Sequence, residues 1–201
     1  MKSILLKTIV IGVTLSAPLA RASLDLGPTP GSSIEFTGSS KTFTITANST
    51  PSSAYYGDQW EITSGGPASG LLGWFNGGPW SYGPITVSGN HQSANVTTPA
   101  GSFVINDGSG FLAIGTVNWV QVITDSYAGG VNAGATVNIT GMTYGGANTD
   151  LQNLVASSQG SVDLSFQFAP GKTLTDLSTG SGPYDNSYSG SLVGVPVPEP
   201  A

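Results

Sequence analysis

The chain has 201 residues, with 5 Lys+Arg, 11 Asp+Glu, one histidine and no cysteine. The missing cysteines exclude disulfides, thiolate nucleophiles and cysteine-based zinc sites. The scarcity of cations leaves no footprint for a phosphate backbone or an anionic bilayer, so neither nucleic acid nor a membrane surface is an expected partner.

Residues 1–22 have the layout of a secretory signal peptide. Lys2 and Lys7 are positive, the uncharged run Thr8–Ala20 carries Ile9, Val10, Ile11, Val13 and Leu15, and Ala20-Arg21-Ala22 offers small residues where a signal peptidase reads. The apolar run of about 13 residues is too short to span a bilayer, which takes roughly 20. Cleavage is expected before Ser23. What remains holds Lys41 and Lys172 against 11 acids, 2 minus 11, a net charge of −9.

The mature part is expected to be one domain over 23–194. Gly, Ser, Thr and Asn together make up 88 of the 201 residues, yet Trp 4, Tyr 7 and Phe 7 are spread among β-branched residues. A disordered chain would be charged and poor in aromatics. This balance instead suits an all-β domain with Thr, Ser and Asn on solvated faces and Gly in turns.

Period-2 alternation marks the strands in chain order. Ser33–Thr37 comes first. In Lys41–Ala47, Phe43 and Ile45 oppose Thr42, Thr44 and Thr46. Gln59–Thr63, Ile85–Ser88, Ala94–Thr98 and Ser102–Asn106 follow. Phe111–Thr124 is apolar on both faces and is expected to be a central strand buried on both sides, bent at Gly115. Ala135–Thr140, Ser161–Phe168 and Ser189–Val193 complete the set. Asp150–Ser157 is the one segment expected to be a short helix. Gly- and Asn-rich turns separate the runs every 8–15 residues or so, which predicts an antiparallel β-sandwich or jelly roll of about 9–11 strands.

Gly57–Gly83 stands apart. Trp60, Trp74, Phe75, Trp80 and Tyr82 lie there among many glycines, as a long aromatic loop or a pair of irregular strands. Trp74, Trp80 and Tyr82 are the candidates for an exposed platform that would stack on sugar rings. Trp119 lies in the most apolar run and is expected in the core.

Candidates for catalysis are sparse. His91 falls in Gly89-Asn90-His91-Gln92-Ser93, a turn between strands, so it is expected to be a solvent-exposed loop residue and not the centre of a triad or metal site. Asp58 and Glu61 flank Trp60 and are the most suggestive acid pair for a glycoside hydrolase. Asn106-Asp107-Gly108-Ser109 resembles the opening of a calcium loop but lacks the distal ligands, and a turn is expected. No residue set amounts to a catalytic signature, and nothing calls for a cofactor or a metal. The reading is therefore non-catalytic, with a glycan-binding module and then a secreted glycoside hydrolase as alternatives.

The end of the chain, 195–201, has proline at every second position from Pro196 and is expected to be extended. Val197-Pro198-Glu199-Pro200-Ala201 resembles the start of the PEP-CTERM sorting signal of exported bacterial proteins, with Pro198, Glu199 and Pro200 as the motif. In that family the motif precedes an apolar helix and a basic tail, neither of which follows here, so the chain as given carries no membrane anchor. The resemblance implies a Gram-negative source that makes exopolysaccharide, and processing by an exosortase-type sorting protease. It also implies secretion to the cell surface or extracellular matrix, but it says nothing about the fold or activity of residues 23–190. The tag-like end together with the lack of a catalytic set leads to the expectation of a structural or interaction role there, with exopolysaccharide as a candidate partner.

Overall fold

The computed structural model describes residues 23–64, 66–98, 100–157, 159–168 and 171–195. The expected signal peptide and the motif Pro198-Glu199-Pro200 lie outside the described residues. Among those described, the chain forms β1 (Ser23–Pro28), β2 (Ser33–Thr37), β3 (Thr42–Thr46), β4 (Trp60–Ile62), β5 (Leu72–Asn76), β6 (Trp80–Ser81) and β7 (Thr86–Ser88). It continues with β8 (His91–Asn95), β9 (Ala100–Asn106), β10 (Leu112–Tyr127), β11 (Gly130–Thr143), α1 (Thr149–Ala156), β12 (Gln159–Phe166), α2 (Leu174–Thr179), β13 (Tyr184–Asn186) and β14 (Tyr188–Val195).

The all-β antiparallel expectation holds, but the architecture differs from an open sandwich or jelly roll. The main, ten-stranded sheet runs β11-β12-β14-β1-β4-β5-β9-β10-β8-β7, and β10 also pairs back onto β11, so the first eight strands close a barrel from which β8 and β7 branch. Closure leaves the eight-stranded ring without a free edge, and the sheet's remaining edge is the three-residue β7. Strands outnumber the expected 9–11 because β1, β5, β6 and β13 fall outside the runs read from the sequence, and β6 and β13 are only two and three residues long, too short to show a period. β14 also extends to Val195, one residue into the segment expected to be the extended tail.

A second, four-stranded sheet, β13-β2-β3-β6, presses its apolar face onto the barrel. That face carries Ile34, Phe36, Phe43, Ile45 and Trp80, all buried. Ring contacts connect the two layers. Phe166 lies 5.4 Å from Phe36, Phe36 is 5.6 Å from Phe43, and Phe43 meets Trp119 edge-on at 5.0 Å. From Trp119 the run goes on to Phe75 at 5.5 Å, Phe103 at 5.3 Å and Trp60 at 4.9 Å. Offset and edge-on arrangements of this kind add about 0.5–1.5 kcal/mol per pair beyond the buried area.

Polar clamps join the layers as well. The buried Gln59 side chain donates from Nε2 to the carbonyl oxygens of Ile45 in β3 and Phe75 in β5, and its Oε1 accepts from the Phe75 N–H. The Tyr188 hydroxyl donates to the Gln59 carbonyl at 2.8 Å, and burial pushes that phenol well above its ordinary pKa.

β10 departs from its expectation on one side. Its inner face is buried at Ala113, Gly115, Val117 and Trp119, but Leu112, Ile114 and Val120 are exposed to 40%, 41% and 41%. The strand therefore has one wet face. It looks apolar on both sides because the register against β11 shifts between Trp119 and Gln121, which makes Val120 an extra residue and passes the buried phase to Val122 and Thr124. The expected bend at Gly115 coincides with a second shift, between Ile114 and Thr116. There the extra residue belongs to β11, at Gly141 with φ 61°. Gly115 itself lies under Ile139 and Met142, where a Cβ would come within 2.6 and 2.8 Å of their side chains.

The short helix forms close to where it was expected. Asn148 caps α1 by accepting from Asp150 N and Leu151 N, and Leu151 and Leu154 are buried beneath it. α2 was not expected. A capping box of Thr173 and Asp176 starts it, and Leu174 and Leu177 anchor it.

Two poles follow from the register. Ser23 lies opposite Val193 and Gln159 opposite Val195, so β1 begins and β14 ends at the same end of the barrel. α1 and the turn after Asn106 cap this end. There Asp107 Oδ2 accepts from the Tyr144 hydroxyl at 2.7 Å, Asn148 N donates to that hydroxyl, and Asn148 Nδ2 donates to the Pro67 carbonyl. Ala68 N donates to the Asp150 carboxylate. Among the described residues no helix is long and apolar enough to cross a membrane.

Candidate functional site

The four tryptophans separate into two groups. Trp60, Trp80 and Trp119 are in the core, each with its indole Nε1 buried and unpartnered. Trp74 is not. On β5, Gly73 and Phe75 point inward, so Trp74 points out from the barrel wall and is half-buried.

Register places its neighbours. Trp74 pairs with Val104 of β9, and Val104 with Ile114 of β10. Val104 also faces outward, yet it is only 3% exposed and stands apart from the main core cluster. Trp74 and Ile114 flank it on either side and cover it. The result is an apolar strip running across three strands on the outside of the barrel.

Outward-facing residues frame the strip in two parallel rows. Asn76, Ser102 and Thr116 align on one side, with Asn76 Nδ2 donating to Ser102 Oγ at 3.2 Å. Leu72, Asn106 and Leu112 align on the other, and the 50% exposed Phe111 adjoins Leu112. Glu61 opposes Leu72 at the β4 border.

Charge near the strip is negative. Asp107 lies in the turn just beyond Asn106. The Tyr144 hydroxyl, followed by the hydroxyl and main-chain N–H groups of the turn, lowers the pKa of its carboxyl to about 2. Lys41 and Lys172, the two lysines of the described residues, belong to the small-sheet side: Tyr82 N donates to the Lys41 carbonyl, and Lys172 Nζ sits 4.4 Å above the Tyr184 ring.

The platform expected from the sequence is thus only partly at the surface. Trp80 is 1% and Tyr82 3% exposed. Trp80 packs on Phe43 and Trp119, and the Tyr82 hydroxyl is 3.2 Å from Ser178 Oγ. Neither can lie against a ligand in this fold, and of the two alternatives for Gly57–Gly83, a loop or irregular strands, the segment contains the short strands β4, β5 and β6 with turns between them. Of the three, Trp74 alone is not buried, and it is half-buried rather than fully exposed. Val104, Ile114, Leu112 and the flanking Asn76, Ser102 and Thr116 were missed. Their signal was present in the second face of Phe111–Thr124, where Leu112 and Ile114 alternate with one another and then give way to Thr116 and Asn118.

His91 is not in a turn. The turn is only Gly89-Asn90, and His91 opens β8 directly opposite Asp125. Its Nδ1 is 2.7 Å from Asp125 Oδ1, with both side chains about half-exposed. Asp58 and Glu61 separate in role. Glu61 sits on the outer wall, while Asp58 precedes β4, with its carbonyl accepting from Asn48 N and Thr29 Oγ1. Burial raises the pKa of the Asp58 carboxyl. Gln59, next to Asp58, is buried. Asp107 forms the expected turn, accepting from Ser109 N and Phe111 N. Among the described residues no three His, Asp or Glu side chains gather into a metal-holding group.

At the far pole an open cleft of about 660 Å³ is lined by residues that include Asn132, Ser165, Gln167, Asn186 and Tyr188. It offers amides and hydroxyls but no aromatic face, since Phe166 and Tyr188 are buried. No family model, curated protein or solved structure matches the chain.

Proposed function

We propose that the protein is exported, loses residues 1–22, and serves a non-catalytic structural or interaction role at the surface or in the matrix of a Gram-negative cell, directed there by its PEP-CTERM-like end. The observation that carries this reading is the pairing of Ser23 with Val193. The start of β1 and the end of β14, from which the two address segments would continue, lie at one pole. Cleavage before Ser23 keeps all of β1, and a tail departing after Val195 keeps all of β14. Either address can then be removed without taking a strand from the closed ring. A net charge of −9 after cleavage suits a soluble, non-sticking extracellular module.

The partner in this reading is an exosortase-type protease acting at Pro198-Glu199-Pro200. The test is made in the native host. N-terminal sequencing of the exported protein should begin at Ser23, and Glu199→Ala should move the protein out of the surface fraction. An unchanged surface fraction with Glu199→Ala would overturn the sorting part, and a mature N-terminus inside β1 would overturn the cleavage part.

A further inference from the structure

We infer that the outer wall of β5, β9 and β10, centred on Trp74, is a binding strip for an extended, uncharged glycan. The inference concerns the wall itself and holds or fails independently of how the protein is exported.

The shape and size come first. Strands lie about 4.8 Å apart and rise about 3.4 Å per residue. Across two strand intervals and the five residues of β5, the strip and its two flanking rows project onto roughly 170 Å². A stable protein interface needs about 800 Å² from each partner, so a second protein surface would find too little here. The outer rings of an extended oligosaccharide would not.

The chemistry comes next. An equatorially linked sugar ring has an apolar C–H face and a rim of hydroxyls. The Trp74 indole and Ile114 offer apolar surface for the face. Asn76, Ser102 and Thr116 on one side and Asn106 on the other offer amides and hydroxyls for the rim. Asn76 is exposed and donates to Ser102 through Nδ2 alone, so its amide oxygen is the acceptor it would offer. The strip crosses the strands, so successive rings would meet Trp74 and then Ile114, on either side of the covered Val104.

Charge selects the class. Glu61 and Asp107 border the strip, and both lysines of the described residues lie elsewhere. A polyanionic glycan would meet repulsion without a compensating cation, and so would a second copy of this acidic chain.

Titration calorimetry of the mature protein against three neutral β-linked probes, cellohexaose, mannohexaose and chitohexaose, tests this, with hexameric oligogalacturonate as the anionic arm. At least one neutral probe should bind, and oligogalacturonate at least about tenfold more weakly. Trp74→Ala should weaken binding by about tenfold or more, Ile114→Ser by about threefold, and Tyr56→Ala, an exposed aromatic elsewhere, not at all. If Trp74→Ala does not fold, Ile114→Ser and Leu112→Ser carry the test. No binding to any neutral probe overturns the inference, as does binding that ignores both Trp74 and Ile114, preference for the anionic probe, or a concentration-dependent dimer that Trp74→Ala dissolves.

Discussion

Gly73 stands directly beneath the Trp60 ring. A Cβ there would collide with Trp60 Cη2 and Cζ2 and with the Val104 carbonyl. Gly101 stands in the same relation to the Asn76 carbonyl, and a Cβ on Gly78 would lie 3.3 Å from the Trp80 ring. Gly73 and Gly78 are spacers that let indoles lie against neighbouring backbone, and Gly101 lets two backbone segments approach. Gly73→Ala should therefore cost about 3 kcal/mol, the upper end of overpacking penalties, read as a lowered urea midpoint with an unchanged slope. Asp107 gives a second prediction at this scale. Its pKa is lowered from 3.8 to about 2 in the fold, so the stability it lends is present above about pH 4 and is lost as pH falls toward 2. The stability gap between wild type and Asp107→Asn should close over that window and stay constant from pH 5 to 7. A gap that persists at pH 2 would mean that the turn is held by other groups.

Among the elements, one buried amide, that of Gln59, ties β3 to β5 across the junction between the two sheets. Gln59→Leu would leave the Ile45 carbonyl and the Phe75 N–H without that side chain as partner, at about 1–3 kcal/mol for each buried group. A loss of about 2–4 kcal/mol in chemical denaturation is expected, while a surface change such as Gln152→Ala should fall within about 0.5 kcal/mol. Legibility from sequence also divides at this scale. β2, β3 and β12 were readable because one face is buried without interruption and the alternation survives. β10 was located but misjudged, since the extra residue at Val120 switches the buried phase midway and makes both faces look apolar. β1 was missed because Leu24 and Leu26 give only two beats before Gly27-Pro28. The aromatic segment was misjudged for the reason seen at Gly73: glycine near tryptophan reads as loop, although here it makes room for a ring. Of the candidate site, only Trp74 was legible, because the strip is assembled from three strands whose register no single segment reveals.

For the whole molecule, closure matters more than any one strand. The ring contains both the first strand and the last, so it cannot close until β14 has arrived. Because Ser23 and Val193 are neighbours, a circular permutant that joins the two ends by a short linker and opens at the exposed Gly108-Ser109-Gly110 turn should fold, with a far-ultraviolet dichroism spectrum like that of the parent. A permutant that stays unfolded would show that the order of strand arrival, and not adjacency, governs closure. The same closure decides how the protein would bear a load. Tension between the Trp74 wall and a tether at the end of β14 has two routes around the ring. One is short and passes through β4, only three residues long, and β1. The other passes through β9 and the long ladders of β10, β11 and β12. An open sheet would tear at its shortest strand. In a closed ring the two arcs share the strain, so the weak seam at β4 is shielded by the strong one until both yield together.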